Sequence, residues 1–446
     1  MGSAPVTGSD LQFQVDPGGA LRGERRVPGD KSISHRAIMF GAIAEGITHV
    51  TGFLEGEDCL ATMNAFRAMG VRIDGPDGGE VIIHGVGRDG LHAPGGPLDM
   101  GNSGTAMRLL AGLLAGQSFD SRLTGDASLS VRPMRRVTDP LQEMGARVET
   151  ATGGTPPLSL SGSAGLRGIE YAMPVASAQV KSCVLLAGVY ARGRTCVMEP
   201  ASTRDHTERM MEAFGYPVER SRGRVCIEGG GAFSATRVDV PADISSAAFF
   251  LVGASIAEGS DLTLRHVGVN PTRTGVIDVL RAMGADIQIL DPRTVSGEPV
   301  ADLRVRSAPL RGIDVPPDLV PLAIDEFPAL FIAAACAEGP TRVTGAQELR
   351  VKETDRIQVM ADGLGALGIV AVPTPDGIEI RGGRPAGGRV DSRGDHRIAM
   401  AFAMAALRAS GPVTIRDCRN VNTSFPCFAA LASSSGLGIR EVQGAV

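Results

Sequence analysis

Ser246-Ala247-Ala248-Phe249-Phe250-Leu251-Val252, followed shortly by Ala257-Glu258-Gly259, is the stretch that decides the fold. A helix with no polar face has to be buried. Glycine after a helix is an ordinary stop, because it takes the left-handed conformation without a Cβ penalty. Leu262-Thr263-Leu264 then alternates as a strand does. The stretch therefore reads as a buried helix, a glycine stop and a strand.

Working outward, the same signal occurs six times. The stops are Ala44-Glu45-Gly46, Leu114-Ala115-Gly116, Ala191-Arg192-Gly193, Ala257-Glu258-Gly259, Ala337-Glu338-Gly339 and Ala409-Ser410-Gly411, with glycines 70, 77, 66, 80 and 72 residues apart. β-like segments follow, as at Thr48–Thr51, Cys196–Met198 and Val413–Ile415. A second signal is interleaved, in which a helix closes on a Leu/Phe-x-x-Met-Gly pattern. Its copies end at Gly70, Gly145, Gly215, Gly284 and Gly368, with a degraded sixth near Gly436. The helices of this second set, such as Thr274–Met283 with Asp278 and Arg281, carry charge and belong at the surface.

A repeat of this kind sets the whole architecture. The expectation is an α/β fold of two similar domains, each of three repeated βαβαββ units, with sheets packed around buried helices as an inside-out α/β barrel. The expected boundary is Pro241-Ala242-Asp243, with a second crossing near Val27-Pro28-Gly29, because Leu11–Gly18 reads as a strand outside the first repeat. One domain then comprises residues 29–243 and the other residues 1–28 plus 244–446.

Composition agrees with a globular protein. The chain has 446 residues, 43% hydrophobic and 21% charged, more than one ordinary core accommodates. A net charge of −5, no Trp and three Tyr disfavour a general nucleic-acid or membrane surface. The apolar runs Ala247–Ala257 and Ile398–Leu407 fall short of the roughly 18 residues of a membrane span. Cysteines 59, 183, 196, 226, 336, 418 and 427 form no C-x-x-C pair and read as free thiols of a reducing compartment. Met1–Asp16 is polar and lacks a signal-peptide core. A cytoplasmic location is expected.

The buried helices begin in polar clusters. These are Lys31, Ser32 and Arg36; Asn102-Ser103-Gly104-Thr105 and Arg108; Ser177-Ala178-Gln179 and Lys181; Asp243 to Ser246; Asp325-Glu326; and Ser392 to Arg397. Helix caps explain the Ser, Asn and Asp. They do not explain Lys31, Arg36, Arg108, Lys181 and Arg397, since cations at an N-terminus oppose the helix dipole. An anionic ligand resolves the conflict. Pseudo-symmetric units would gather all six starts at one cleft. Arg132, before a proline and therefore extended, and Leu349–Arg356, where Lys352 and Arg356 are four apart on an expected helix face, add further cations. No Walker loop, H-E-x-x-H or Cys/His set is present. The site reads as free of metal and cofactor, and suited to substrates bearing several phosphates or carboxylates.

Four stretches in order, Asp30–Arg36, Asn102–Arg108, Arg350–Arg356 and Asp395-His396-Arg397, resemble the 5-enolpyruvylshikimate-3-phosphate synthase family. The resemblance implies transfer of the enolpyruvyl group of phosphoenolpyruvate to the 5-hydroxyl of shikimate 3-phosphate. It assigns Lys31, Ser32, Arg36, Ser177, Gln179 and Arg204 to shikimate 3-phosphate. It assigns Lys31, Gly104, Arg132, Gln179, Arg356 and Arg397 to phosphoenolpyruvate. Asp325 would take the hydroxyl proton beside Lys352, and Glu353 with Lys31 would handle the proton at the methylene carbon. Gly125–Leu129, Ser177-Ala178-Gln179 and Thr423-Ser424-Phe425-Pro426 look like the glyphosate-tolerant subgroup, class II, and Thr423 stands where other members place a Lys. Gly104 is retained where tolerant members often have Ala, and Leu109 replaces a common Pro, so glyphosate is a possible inhibitor. The implied state is a monomer. Two alternatives fit the residues less well. An enolpyruvyl transferase acting on UDP-N-acetylglucosamine usually opens with Lys-Asn, whereas Ser32 follows Lys31 here. A non-catalytic anion-binding repeat protein would gain nothing from Asp325 and Glu353.

Overall fold

The computed structural model describes residues 11–162 and 165–444, so the reading of Met1 to Asp10 lies outside the described residues. Among the described residues twelve α-helices alternate between two environments: α1 (Lys31–Ile43), α2 (Glu57–Ala68), α3 (Gly104–Ala115), α4 (Arg135–Glu143), α5 (Ala178–Gly188), α6 (His206–Ala213), α7 (Ile244–Ile256), α8 (Gly275–Ala282), α9 (Phe327–Cys336), α10 (Arg356–Ala366), α11 (His396–Ala405) and α12 (Phe428–Ser435). Every residue of α7 is buried, whereas α8 exposes Asp278 and Arg281. The odd-numbered helices are the inner set expected from their all-round apolarity. Gly112 of α3 faces the Cys183 carbonyl so closely that a Cβ would lie 2.1 Å from it, which fixes glycine where α3 and α5 meet.

Among the described residues six sheets enclose these helices, five of them mixed and one, of Pro340–Val343, Gly377–Arg381 and Val370–Thr374, antiparallel. In the last unit Gly388–Asp391 runs parallel to Val413–Arg416, which pairs antiparallel with Leu11–Gly19, itself paired with Leu437–Gln443. Arg22–Arg25 lies parallel to Asp261–Gly268. The N-terminal segment thus completes two sheets of the C-terminal half. In the other direction, Phe233–Ser234 and Arg237–Asp239 lie parallel to Ala44–Thr51 and close the sheet of the first unit.

Two hydrophobic cores result. One gathers residues from Ile33 to Val240, the other residues from Phe13 to Val27 and from Ala242 to Ile439. We call the first body one and the second body two. The chain passes between them twice, side by side: Asp30 N donates to Pro241 O (2.8 Å) and Asp243 N to Pro28 O (2.9 Å).

Four details depart from the sequence reading. In the second signal Gly70, Gly145, Gly215, Gly284, Gly368 and Gly436 all have positive φ at the helix end; in the first set Gly46, Gly193, Gly259 and Gly339 are also left-handed but lie beyond the helix end, and Gly116 is right-handed at −91°. The inner helices end by turning directly into extended chain, as at Ala44 and Ala337, so their glycines serve the turn beyond. The cysteines are not all free thiols. Cys196 and Cys226 sit opposite each other on adjacent antiparallel strands, Cα atoms 4.1 Å apart, and form a disulfide. Lys352 and Arg356 do not share a helix face, because the Asp355 carboxylate accepts from Gln358 N and starts α10 after itself, leaving Lys352 extended. Among the described residues no helix is long and apolar enough to cross a membrane.

Candidate active site

The inner helices all bring their first residues to one cavity between the bodies. It is lined by Lys31 and Ser32 of α1, Gly104 and Thr105 of α3, Gln179 of α5, Ser245 of α7, Asp325 just before α9, and Arg397 of α11. The caps differ around this ring. Asp30, Ser103, Ser177, Asp243 and Asp395 each accept a backbone N–H of their own helix. Glu326 occupies the cap position of α9 without such a bond.

The charge in this cavity, about 90 Å³, is unbalanced. Lys31, Arg108, Arg132, Arg204, Arg273, Lys352, Arg356 and Arg397 face Asp58, Asp243, Asp325 and Glu353, an excess of four positive charges. An adjoining cavity of about 470 Å³ shares Arg108, Gln179, Arg204, Asp325, Val351 and Lys352 with it and adds Ser177. The larger space is of the size ligands occupy; the smaller is a cationic core that polar groups of a ligand must enter.

Most of the cations are already paired, Arg204 and Arg132 across the cleft and the others within their own body. Arg204 of body one contacts the Asp325 carboxylate of body two. Arg132 Nη1 lies 3.6 Å from Glu353 Oε1 and its Nη2 donates to Asn102 Oδ1 at 2.9 Å. Lys352 Nζ is 3.3 Å from Asp325 Oδ1, and Arg356 Nη1 is 3.6 Å from the same oxygen. Arg356 also holds Glu353 and donates to Asp395 at 2.7 Å. Arg397 Nη1 donates to the Asp325 carbonyl at 3.0 Å. Lys31 Nζ rests on Asp58 Oδ2 at 3.0 Å. Arg108 donates to Gln179 Oε1 at 2.7 Å, and Gln179 donates to Thr105 Oγ1 at 3.1 Å.

These contacts set the proton affinities. Burial drives Asp325 upward, but Lys352, Arg204, Arg397 and Arg356 outweigh it and hold the carboxyl well below its ordinary range. Burial also opposes ionisation of Glu353, and Arg356 and Arg132 overcome it in the same way. Burial lowers Lys31, yet Asp58 leaves it raised overall. Arg108 is pushed down to about 10 by burial and by Arg132, and stays charged at neutral pH.

Eleven of the thirteen residues expected from sequence line the cationic cavity, and Ser177 lines its neighbour. Arg36 does not line either. It is buried behind Ser32, donating to Thr207 Oγ1 (2.7 Å), Ser182 Oγ (2.8 Å) and the Ser32 carbonyl (2.9 Å), so it braces the first turn of α1. Lys181 likewise turns away, paired with Glu199 and Glu208. The sequence reading missed Asp58 and Arg273 as cleft residues and placed Asp243 at the cleft only as part of a helix start. A caps-only explanation sufficed for Asp243, and an acidic first turn favoured by the dipole sufficed for Asp58.

Comparison with known proteins gives this geometry a family. The model of the family described as EPSP synthase (3-phosphoshikimate 1-carboxyvinyltransferase) matches residues 15–431. The 3-phosphoshikimate 1-carboxyvinyltransferase of Methylococcus capsulatus is 69% identical over 431 residues, covering 97% of this chain and 99% of the relative. That of Alkalilimnicola ehrlichii is 69% identical over 433 residues, 97% of each chain. An EPSP synthase structure from Acinetobacter baumannii superposes with a TM-score of 0.88 at 59% identity, covering 97% of this chain and 100% of the other. The enolpyruvyl transferase NikO from Streptomyces tendae, at 17% identity and a TM-score of 0.78 over 98% of this chain and all of its own, shares the fold.

Proposed function

The chain belongs to the EPSP synthase family, the 3-phosphoshikimate 1-carboxyvinyltransferases of the shikimate pathway, and from that premise we propose how its cleft runs the transfer. It is a transferase that moves the enolpyruvyl group of phosphoenolpyruvate to the 5-hydroxyl of shikimate 3-phosphate and releases phosphate. Lys31, Ser32, Ser177, Gln179 and Arg204 hold shikimate 3-phosphate. Gly104, Arg132, Arg356 and Arg397 hold phosphoenolpyruvate, with Lys31 and Gln179 between the two. Arg36 acts through the α1 turn it braces.

The observation that carries the mechanism is the sharing of cations. Asp325 and Glu353 are kept ionised by the very side chains that would grip substrate. When the phosphate and carboxylate groups draw Arg204, Lys352, Arg132 and Arg356 away, both carboxyls lose their stabilising partners and gain negative neighbours. Their proton affinity then rises. Glu353, with Lys31, delivers a proton to the methylene carbon and leaves a cationic centre at C2. The 5-hydroxyl adds to C2 as Asp325 with Lys352 takes its proton, giving a tetrahedral intermediate. Phosphate departs into the fixed cations while a methyl proton returns to the Glu353 side and restores the vinyl group.

Finer readings accompany this one. The domains are residues 29–243 and 1–28 plus 244–446, closing on substrate across the paired crossings. A monomer acting in the cytoplasm belongs to the same reading. Glyphosate competes for the phosphoenolpyruvate subsite: a Cβ at Gly104 would lie 3.1 Å from Arg108 Nη1 and 3.2 Å from Arg132 Nη1, so glycine keeps that space open. The test is phosphate release from phosphoenolpyruvate. Release is expected with shikimate 3-phosphate and none with UDP-N-acetylglucosamine; the reverse pattern overturns the reading.

A further inference from the structure

The loop Asn270-Pro271-Thr272-Arg273 joins the strand Asp261–Gly268 to α8 in body two. It is tightly built. Asn270 Oδ1 accepts from Thr272 N (2.9 Å) and Thr272 Oγ1 (2.8 Å), while Asn270 Nδ2 donates to Asp205 Oδ1 of body one (2.6 Å) and to Glu298 Oε2 (3.0 Å). The loop delivers Arg273 into the wall of the cationic cavity, where its side chain is 3% exposed.

The guanidinium there meets the starts of three inner helices. Nη1 lies 3.2 Å from Asp30 Oδ2, the cap of α1. Nη2 lies 3.3 Å from Asp243 Oδ1, the cap of α7, 2.6 Å from Ser245 Oγ, and 3.6 Å from Glu326 Oε1 at the start of α9. Two of these helices belong to body two and one to body one. Each contact is also one step from a group of the proposed chemistry. Asp30 precedes Lys31, and the second oxygen of Asp243 accepts the Lys31 backbone N–H at 3.3 Å. Glu326 follows Asp325.

We propose that Arg273 is a positioning residue for the transfer: its planar fork fixes the start of α1 against those of α7 and α9, and so sets Lys31 relative to Asp325. The inference rests on the enolpyruvyl-transfer reading above. The fork matters more than the charge, because only a guanidinium reaches acceptors on three helices at once. The two crossings stay joined by their own backbone bonds without it. Losing the fork therefore misaligns the reacting groups and leaves substrate capture intact, and small misplacements cost rate heavily.

The experiment is Arg273→Lys in the full chain, with kcat, both KM values, the Kd of shikimate 3-phosphate and the melting temperature measured. The expected result is a kcat about 10- to 100-fold lower, with KM and Kd within about threefold of the parent. A lower melting temperature with kcat within twofold of the parent overturns the proposal and leaves a purely structural residue. Should Arg273→Lys not fold, Asp30→Asn serves instead, since asparagine still caps Ile33 N while weakening the ion pair. An unchanged kcat there overturns the proposal equally. Failure of the transfer reading itself is distinct, since the parent would then release no phosphate with shikimate 3-phosphate.

Discussion

The two halves of the cleft start from the same repeat and use it differently. In body one two of the three inner helices are capped by neutral Ser103 and Ser177, and the lining cations Lys31, Arg108, Arg132 and Arg204 have Asp58 as the one lining carboxylate from their own body. In body two the cap positions are Asp243, Glu326 and Asp395, and Arg273, Lys352, Arg356 and Arg397 face Asp243, Asp325 and Glu353. Body one offers three unbalanced positive charges, body two only one. A neutral cap leaves the helix dipole free for a ligand anion, whereas a carboxylate cap neutralises it. Body one is thus arranged to capture anions, and body two to hold carboxylates whose protons can be moved.

That contrast predicts a split in the kinetics. The largest effect should come from Glu353→Gln in body two, which keeps the volume and removes the titrating group. Loss of a general acid or base costs about 10²- to 10⁴-fold, so kcat should fall by that order while KM for phosphoenolpyruvate stays within about threefold. A KM effect of equal size would erase the distinction between the halves. Arg132→Lys in body one is the next in size. It keeps the charge but gives up the fork that reaches Asn102, Ser128 and Glu353. KM for phosphoenolpyruvate should rise about 10- to 50-fold with a smaller change in kcat, as expected when binding common to ground and transition states is lost. Steady-state kinetics at saturating shikimate 3-phosphate measures both.

The asymmetry was only half legible in the sequence. The six units could be read because every unit needs the same buried helix and a turn after it, and that turn leaves a glycine. Lys31, Arg108 and Arg397 could be read because cations at helix starts contradict the dipole and demand a reason, whereas Arg204 and the roles of Asp325 and Glu353 came from the family resemblance. Arg273 could not be, because Asn270-Pro271-Thr272 announces a turn and nothing in a turn signal says where the next side chain points. The Cys196–Cys226 disulfide was hidden for a related reason: it depends on the register of two strands 30 residues apart, which no local pattern encodes. Arg36 and Lys181 lie off the cavity lining, and the sequence does not separate them, because a cation near a helix start satisfies the same argument whether it faces the cleft or a buried partner.

The smallest effect tests the seam between the halves rather than either half. Arg136 of α4 reaches across the mouth of the cleft, its Nη1 3.0 Å from both Glu348 oxygens. The two side chains are 42% and 30% exposed, so water and salt screen the pair and its worth is below about 1 kcal/mol. Since Glu348 lies only a few residues before Lys352 and Glu353, the pair draws the body-two loop toward body one. Glu348→Gln should raise KM for shikimate 3-phosphate by about two- to fivefold at low ionic strength and leave kcat unchanged. The difference from the parent should vanish near 1 M salt, where the screening length shrinks to about 3 Å. A difference that survives high salt would mean that Glu348 acts by shape rather than charge, and that closure owes nothing to this contact.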